Sequence, residues 1–128
     1  MNATPLIAVI DDDPGMRLAV DALIRSIDYR AAVFSSAEEF LASDVMAQIS
    51  CIVSDVNMGG MSGIELISEL HGRSSTVRPP PLILVSAFTT EKMVQASIRA
   101  GALCLLKKPF DPEALIQSIE KAITFQTG

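Results

Sequence analysis

LIAVIDDDPGMRLAVDALIRSI, residues 6–27, changes its hydrophobic period within a few residues. Leu6 to Ile10 is a short apolar run, the pattern of a strand buried on both faces. From Met16 the period becomes helical. Met16, Ala19, Val20, Leu23, Ile24 and Ile27 recur at steps of three and four, which predicts a helix burying one continuous stripe. Between the two patterns, Asp13 is placed to accept a backbone N–H as N-cap. Pro14 fits the first helical position, where its missing donor costs nothing.

This strand-to-helix unit recurs along the chain. Further strands are predicted over about Arg30 to Phe34, Cys51 to Ser54, Leu82 to Val85 and Cys104 to Lys107, each too short and too closely flanked by turn residues for a helix. Ser36 followed by Glu39 reads as a capping box opening the second helix. The third and fourth helices are expected over about Ile64 to His71 and Thr90 to Ala100. Asp111-Pro112 repeats the Asp13-Pro14 device and opens a fifth, with Leu115, Ile116, Ile119, Ala122 and Ile123 on its apolar face. Pro79-Pro80-Pro81 reads as a stiff surface connection. Five such units predict an α/β fold, a doubly wound, flavodoxin-like sandwich with parallel strand order 2-1-3-4-5.

Composition narrows the function classes. The 128 residues are 49% apolar and 20% charged, which fits one globular domain over 1–128, with 124–128 the candidate start of a linker. No apolar run approaches the roughly 18 residues of a membrane span, and the N-terminus lacks the basic region of a signal peptide, so a cytoplasmic location is expected. The net charge of −5, with no basic cluster beyond Lys107-Lys108, argues against direct contact with nucleic acid. Cys51 and Cys104 both begin apolar runs and read as core residues, not as a disulfide. His71 falls at a predicted helix end, where its charge suits the dipole and needs no chemical role.

The chemistry gathers at one edge. Asp11 and Asp12, Asp55, Ser86 and Lys108 follow the carboxyl ends of the first, third, fourth and fifth strands, where open α/β sheets bind ligands. Strand order makes the first and third strands neighbours, so distant aspartates should converge. One lysine cannot neutralise three carboxylates, and a hard divalent cation, Mg²⁺ or Mn²⁺, is expected with them. Asp55 is then placed as a nucleophile toward phosphorus, with Lys108 and a hydroxyl facing the oxygens of the transferring group. Taken singly, each residue has a plainer reading as turn or cap chemistry. Their joint placement favours the site.

IAVIDDDPGMR (7–17), IVSDVNMGGMSGIEL (52–66), LILVSAF (82–88) and LLKKPF (105–110) resemble the motifs of receiver domains of two-component signalling, and the likeness covers nearly the whole chain. SSAEEFL (35–41) together with the KPF end resembles the FixJ type. The resemblance implies that Asp11 and Asp12 form an acidic metal-binding pair, Asp55 is the phosphoacceptor, Asn57 lends the metal its backbone carbonyl, Ser86 is the switch hydroxyl and Lys108 the site lysine. It also implies a cis Lys108–Pro109 peptide. The expected partners are a sensor histidine kinase or phosphotransfer protein, an output domain or effector acting in transcription, and a second copy on phosphorylation. The role is that of a signalling switch, not an enzyme with an external substrate.

Two residues depart from the family pattern. Gly59 stands where receivers usually carry proline, which frees the loop's backbone. Leu105 replaces the Tyr or Phe that swings inward on activation, so readout is expected through the loop after Ser86 and the fourth helix. Rival readings fit less of the chain. A phosphatase of the haloacid-dehalogenase type would use Asp11-x-Asp13 but leave Asp55, Ser86 and Lys108 unexplained. A flavodoxin-like cofactor carrier needs a phosphate-binding loop after the first strand, where aspartates stand instead. A receiver fold that only binds partners would have no use for the full acidic and lysine set, while Gly59 and Leu105 keep that reading open.

Overall fold

The computed structural model of the protein describes residues 4–73 and 79–127. Its elements run β1 (Leu6–Ile10), α1 (Pro14–Ser26), β2 (Arg30–Phe34), α2 (Ala37–Ala42), a 3₁₀ turn (Met46–Gln48), β3 (Ile49–Asp55), α3 (Gly63–Arg73), β4 (Leu82–Ser86), α4 (Glu91–Ala100), β5 (Cys104–Lys107) and α5 (Pro112–Thr127). All neighbouring strands pair in parallel, in the order β2-β1-β3-β4-β5.

Side-chain alternation sorts the core into two layers. Ile7, Val9, Cys51, Val53, Ile83 and Val85 point toward Val20 and Ile24 of α1 and Leu115, Ile119 and Ala122 of α5. Leu6, Ala8, Ile10, Ile52, Leu82 and Leu84 face Phe40 of α2 and Leu66, Ile67 and Leu70 of α3, with Met93 and Ala100 of α4 at the margin. β1, β3 and β4 are covered on both sides, and so read as continuous apolar runs.

β3 begins two residues before its apolar run suggests. Leu6 pairs with Ile49 but Ile7 pairs with Cys51, so Ser50 is an extra residue in the ladder. Without that bulge, strict alternation would turn Ile49 toward the α1–α5 layer. With it, Ile49 is buried among the α2–α3 side chains.

Helix starts follow the caps read from the sequence, with two differences. Asp13 accepts from Gly15 N, and Asp111 Oδ1 from Glu113 N at 3.0 Å. Ser36 Oγ accepts from Glu39 N at 3.0 Å, but the Glu39 carboxylate reaches past Ser36 to Ser35 N at 2.7 Å, so the box closes one residue early. A complete box opens α3 instead: Ser62 Oγ accepts from Glu65 N, and Glu65 Oε1 from Ser62 N. In α1 the stripe is narrower than its period suggests, because Ala19 is exposed while Val20 and Ile24 are buried. α1 ends with Asp28 in the left-handed region, φ 66°, where Asp28 N and Tyr29 N satisfy the last carbonyls.

Cys51 is fully buried and both cysteines are free thiols. Burial pushes the Cys51 thiol up to about 12. Pro79 to Pro81 are half-buried, and the Pro81 carbonyl accepts from Ile52 N at 3.0 Å, so this connection joins β3 instead of lying free on the surface. Among the described residues, no helix is long and apolar enough to cross a membrane. The linker expected at 124–128 falls mostly within α5, and its last residue lies outside the described residues.

Candidate functional site

Each strand delivers one group to the same edge because parallel strands end together. Ile10 pairs with Ser54, so the next residues, Asp11 and Asp55, emerge side by side from β1 and β3. Both are buried, at 2% and 7% exposure. Asp12 is exposed at the rim. One carboxylate oxygen from each of the three lies within 4.8 Å of the others.

Lys108 follows the last residue of β5 and turns back over the edge. Its Nζ lies 3.0 Å from Asp11 Oδ2 and 3.5 Å from Asp55 Oδ2, bridging the two strands. The Lys108–Pro109 peptide is cis, as the resemblance implies. Asp11 Oδ1 accepts from Asp13 N at 2.9 Å, so the first aspartate is held at both oxygens. Lys107, its neighbour, is exposed.

The electrostatics follow from burial. Desolvation, and then the charge of Asp11, push the Asp55 carboxyl above its ordinary value, against the pull of Lys108 and a backbone bond from Asn57 N. Burial works to lower the Lys108 pKa, but the hydrogen bond and charge of Asp11, and then Asp55, outweigh it and raise the net value. Three carboxylates facing one ammonium leave an excess of two negative charges. Each carboxylate pair at about 4 Å costs on the order of 4 kcal/mol at an effective dielectric of about 20. A hard, oxygen-only donor set with that excess fits a small divalent cation.

Ser86 stands at the same edge, with its hydroxyl bonded within its own loop. It ends β4 and is fully buried, but its Oγ donates to the Phe88 carbonyl at 2.7 Å and accepts from Phe88 N at 3.2 Å. The hydroxyl closes a turn in its own loop. Asn57 is exposed, and its backbone N–H donates a hydrogen bond to the Asp55 carboxylate. Leu105 is half-buried and packs against the α2–α3 layer, filling space with no polar tip.

Three site-supporting residues escaped the sequence reading. Arg17 Nη1 donates to the Asp11 carbonyl at 2.7 Å, steadying the turn that carries the acidic pair. An added Cβ at Gly63 would lie 2.6 Å from both the Asp55 carbonyl oxygen and a Leu84 methyl, so α3 can start this close to β3 only with glycine there. Glu38 of α2 accepts from Met61 N, in the loop after Asp55. Of the three, only Gly63 carried a signal: a glycine at the start of a helix, inside the Ser62–Glu65 box.

Comparison with known proteins gives the family. The model of the response regulator receiver domain matches residues 7–120. The transcriptional regulatory protein FixJ of Bradyrhizobium diazoefficiens is 33% identical over 117 residues, 91% of this chain and 56% of the relative. The transcriptional regulatory protein TdiR of Thauera aromatica is 30% identical over 115 residues, 90% and 49% respectively. Among solved structures, the response regulator StyR superposes with a TM-score of 0.85 at 34% identity, covering 96% of this chain and 61% of that one. The chain spans about half the length of the curated relatives it matches. By fold and by sequence, the chain belongs to the receiver domain family of two-component response regulators, a family of signalling switches.

Proposed function

We propose that residues 1–128 form one phosphoryl-accepting receiver domain that works in the cytoplasm. Asp55 takes a phosphoryl group from a sensor histidine kinase or a phosphotransfer protein. The observation that carries this reading is the convergence of Asp11, Asp12 and Asp55 within 4.8 Å, with Lys108 bridging two of them.

An Asp55 carboxylate oxygen attacks phosphorus as the bond from phosphorus to the donor's histidine nitrogen breaks; the nitrogen keeps the electron pair and an acyl phosphate forms on Asp55. Asp11, Asp12, Asp55 and the Asn57 backbone carbonyl would hold Mg²⁺ or Mn²⁺, which when bound offsets charge on the phosphoryl oxygens. Lys108 follows the charge: its ammonium, shared between Asp11 and Asp55, is within reach of a phosphoryl oxygen built on Asp55. Ser86 exchanges its bonds with Phe88 for one to the phosphoryl group. That exchange moves the following loop and biases the surface formed by α4, β5 and α5. The biased surface controls an output domain or effector in transcription and favours pairing with a second copy. The domain catalyses only its own phosphorylation and dephosphorylation.

The test is incubation with acetyl phosphate, with and without Mg²⁺, followed by intact mass of the wild type and Asp55→Asn. One acid-stable, base-labile phosphoryl group needing both Mg²⁺ and Asp55 is expected. No adduct with cation binding intact would replace this reading with a partner-binding module. Steady phosphate release that depends on Asp11 and persists in Asp55→Asn would replace it with a phosphatase.

A further inference from the structure

The loop after Asp55, residues 56–62, carries Asn57 and is anchored to the sheet at its ends. Val56 N donates to Val85 O at 2.9 Å, and Gly63 N to Val56 O at 3.0 Å. The Ser62–Glu65 box fixes the exit into α3. Between these anchors stand Gly59 and Gly60, the most permissive pair of residues a loop can have. Nothing lies within 4 Å of the position a Cβ would take at Gly59. The local backbone is therefore stiffened neither by proline nor by packing there.

A clamp comes from another element. Glu38, in the first turn of α2, extends its carboxylate across to this loop, and Oε2 accepts from Met61 N at 2.8 Å. Gly60 lies so close beneath it that an added Cβ would sit 2.5 Å from the same oxygen. The two features depend on each other: Gly60 leaves the space that the carboxylate fills. The hydrogen bond from Met61 N holds the Glu38 carboxyl below its ordinary value, as expected of a charge-assisted bond.

We propose that Glu38 is a positioning residue for the acceptor site: from α2 it clips the Gly59–Gly60 loop through Met61 N, and so holds Asn57 beside Asp55. The clip does the work that a stiff residue at position 59 would do within the loop. This rests on the reading of Asp55 given above. Its nearest neighbour supplies a control, since Glu39 spends its carboxylate on Ser35 N and does not reach the loop.

The experiment compares wild type, Glu38→Ala, Glu38→Gln, Glu39→Ala and the double variant Glu38→Ala with Gly59→Pro. Three quantities are read: the rate of phosphorylation by acetyl phosphate, the Mg²⁺ dissociation constant by calorimetry, and amide exchange at Asn57 and Met61. Glu38→Ala is expected to slow phosphorylation about tenfold, equivalent to about 1.4 kcal/mol, to weaken Mg²⁺ binding, and to speed exchange at both amides. Gln, which keeps an accepting oxygen, should recover part of each loss. Gly59→Pro should restore Mg²⁺ affinity in the Ala background by stiffening the loop, and Glu39→Ala should change nothing at the site. Wild-type Mg²⁺ affinity and wild-type exchange at Asn57 in Glu38→Ala would overturn the proposal. So would weakened affinity that Gly59→Pro fails to recover, which marks a general loss of structure. A wild type that takes no phosphoryl group would sink the reading of Asp55 alone, because the clip is still read from Mg²⁺ affinity and exchange.

Discussion

At the ends of β1, β3 and β5, charge is held by charge across three strands: Lys108 Nζ sits 3.0 Å from Asp11 and 3.5 Å from Asp55. One strand over, at the end of β4, Ser86 closes on its own chain two residues ahead. The first arrangement exists only once β1, β3 and β5 are aligned, and it carries buried charges that the local bonds from Asp13 N and Asn57 N do not neutralise. The second needs a single turn, and at its far end Phe88 is 75% exposed. Under the function proposed above, a switch would use both: a rigid side to read a phosphoryl group and a side that can rearrange without disturbing the sheet.

The charged side should break hardest. Lys108→Ala leaves Asp11 and Asp55 facing each other unpaired, and removing one partner of a buried ion pair costs about 3 kcal/mol or more. Urea unfolding without divalent cation should show that loss, and added Mg²⁺ should return part of it. A loss under about 1 kcal/mol would mean that the lysine does not hold this side together.

Asp55→Asn should act in the opposite sense. Because the folded Asp55 carboxyl titrates above its ordinary value, through burial and then the charge of Asp11, ionising it costs the folded state. Wild-type stability therefore falls as pH rises from the ordinary carboxylate value of about 3.9 through the raised one, and the amide variant is spared this fall. Thermal melts in chelator should show no advantage at the acid end of that window and a full advantage at neutral pH. An advantage that grew toward acid would reverse the assignment.

On the hydroxyl side, Ser86→Ala removes two hydrogen bonds within one turn. It should cost about 1 kcal/mol, with faster amide exchange confined to the loop before α4. Spread of that exchange into β1 or β3 would show that the two sides are not independent. The smallest effect belongs to neither side. Asp28→Gly relieves a left-handed residue at the end of α1, and should raise stability by about 0.5 kcal/mol while leaving Mg²⁺ binding unchanged.

The sequence was most legible where a signal is local and repeated. β1, β2 and β5 have the bounds expected from their patterns, and Asp13-Pro14 and Asp111-Pro112 open α1 and α5. The groups at the edge, Asp11, Asp12, Asp55, Ser86 and Lys108, were legible because each ends a strand or stands within two residues of its end. Strand order alone then sends them to one place. Legibility failed where a side chain chooses among partners far away in sequence. Glu38 in the first turn of a helix reads as an ordinary dipole partner, and nothing in SSAEEFL says that it reaches Met61. Arg17 lies off the apolar stripe and reads as solvated, yet it holds the Asp11 carbonyl. Ser50 gives no sign of being the extra residue that turns Ile49 inward.

By itself, then, the sequence determined the period of each element, the caps that start the helices and the chemical type of each group delivered to the sheet edge. These depend on neighbours three or four residues away or on alternation along one strand. Only the tertiary structure decided that Lys108 divides its charge between Asp11 and Asp55 and that Glu38 clips the loop after Asp55. Those outcomes turn on distances of a few ångströms between strands and helices, which are set when the two core layers pack and are written in no single stretch of chain.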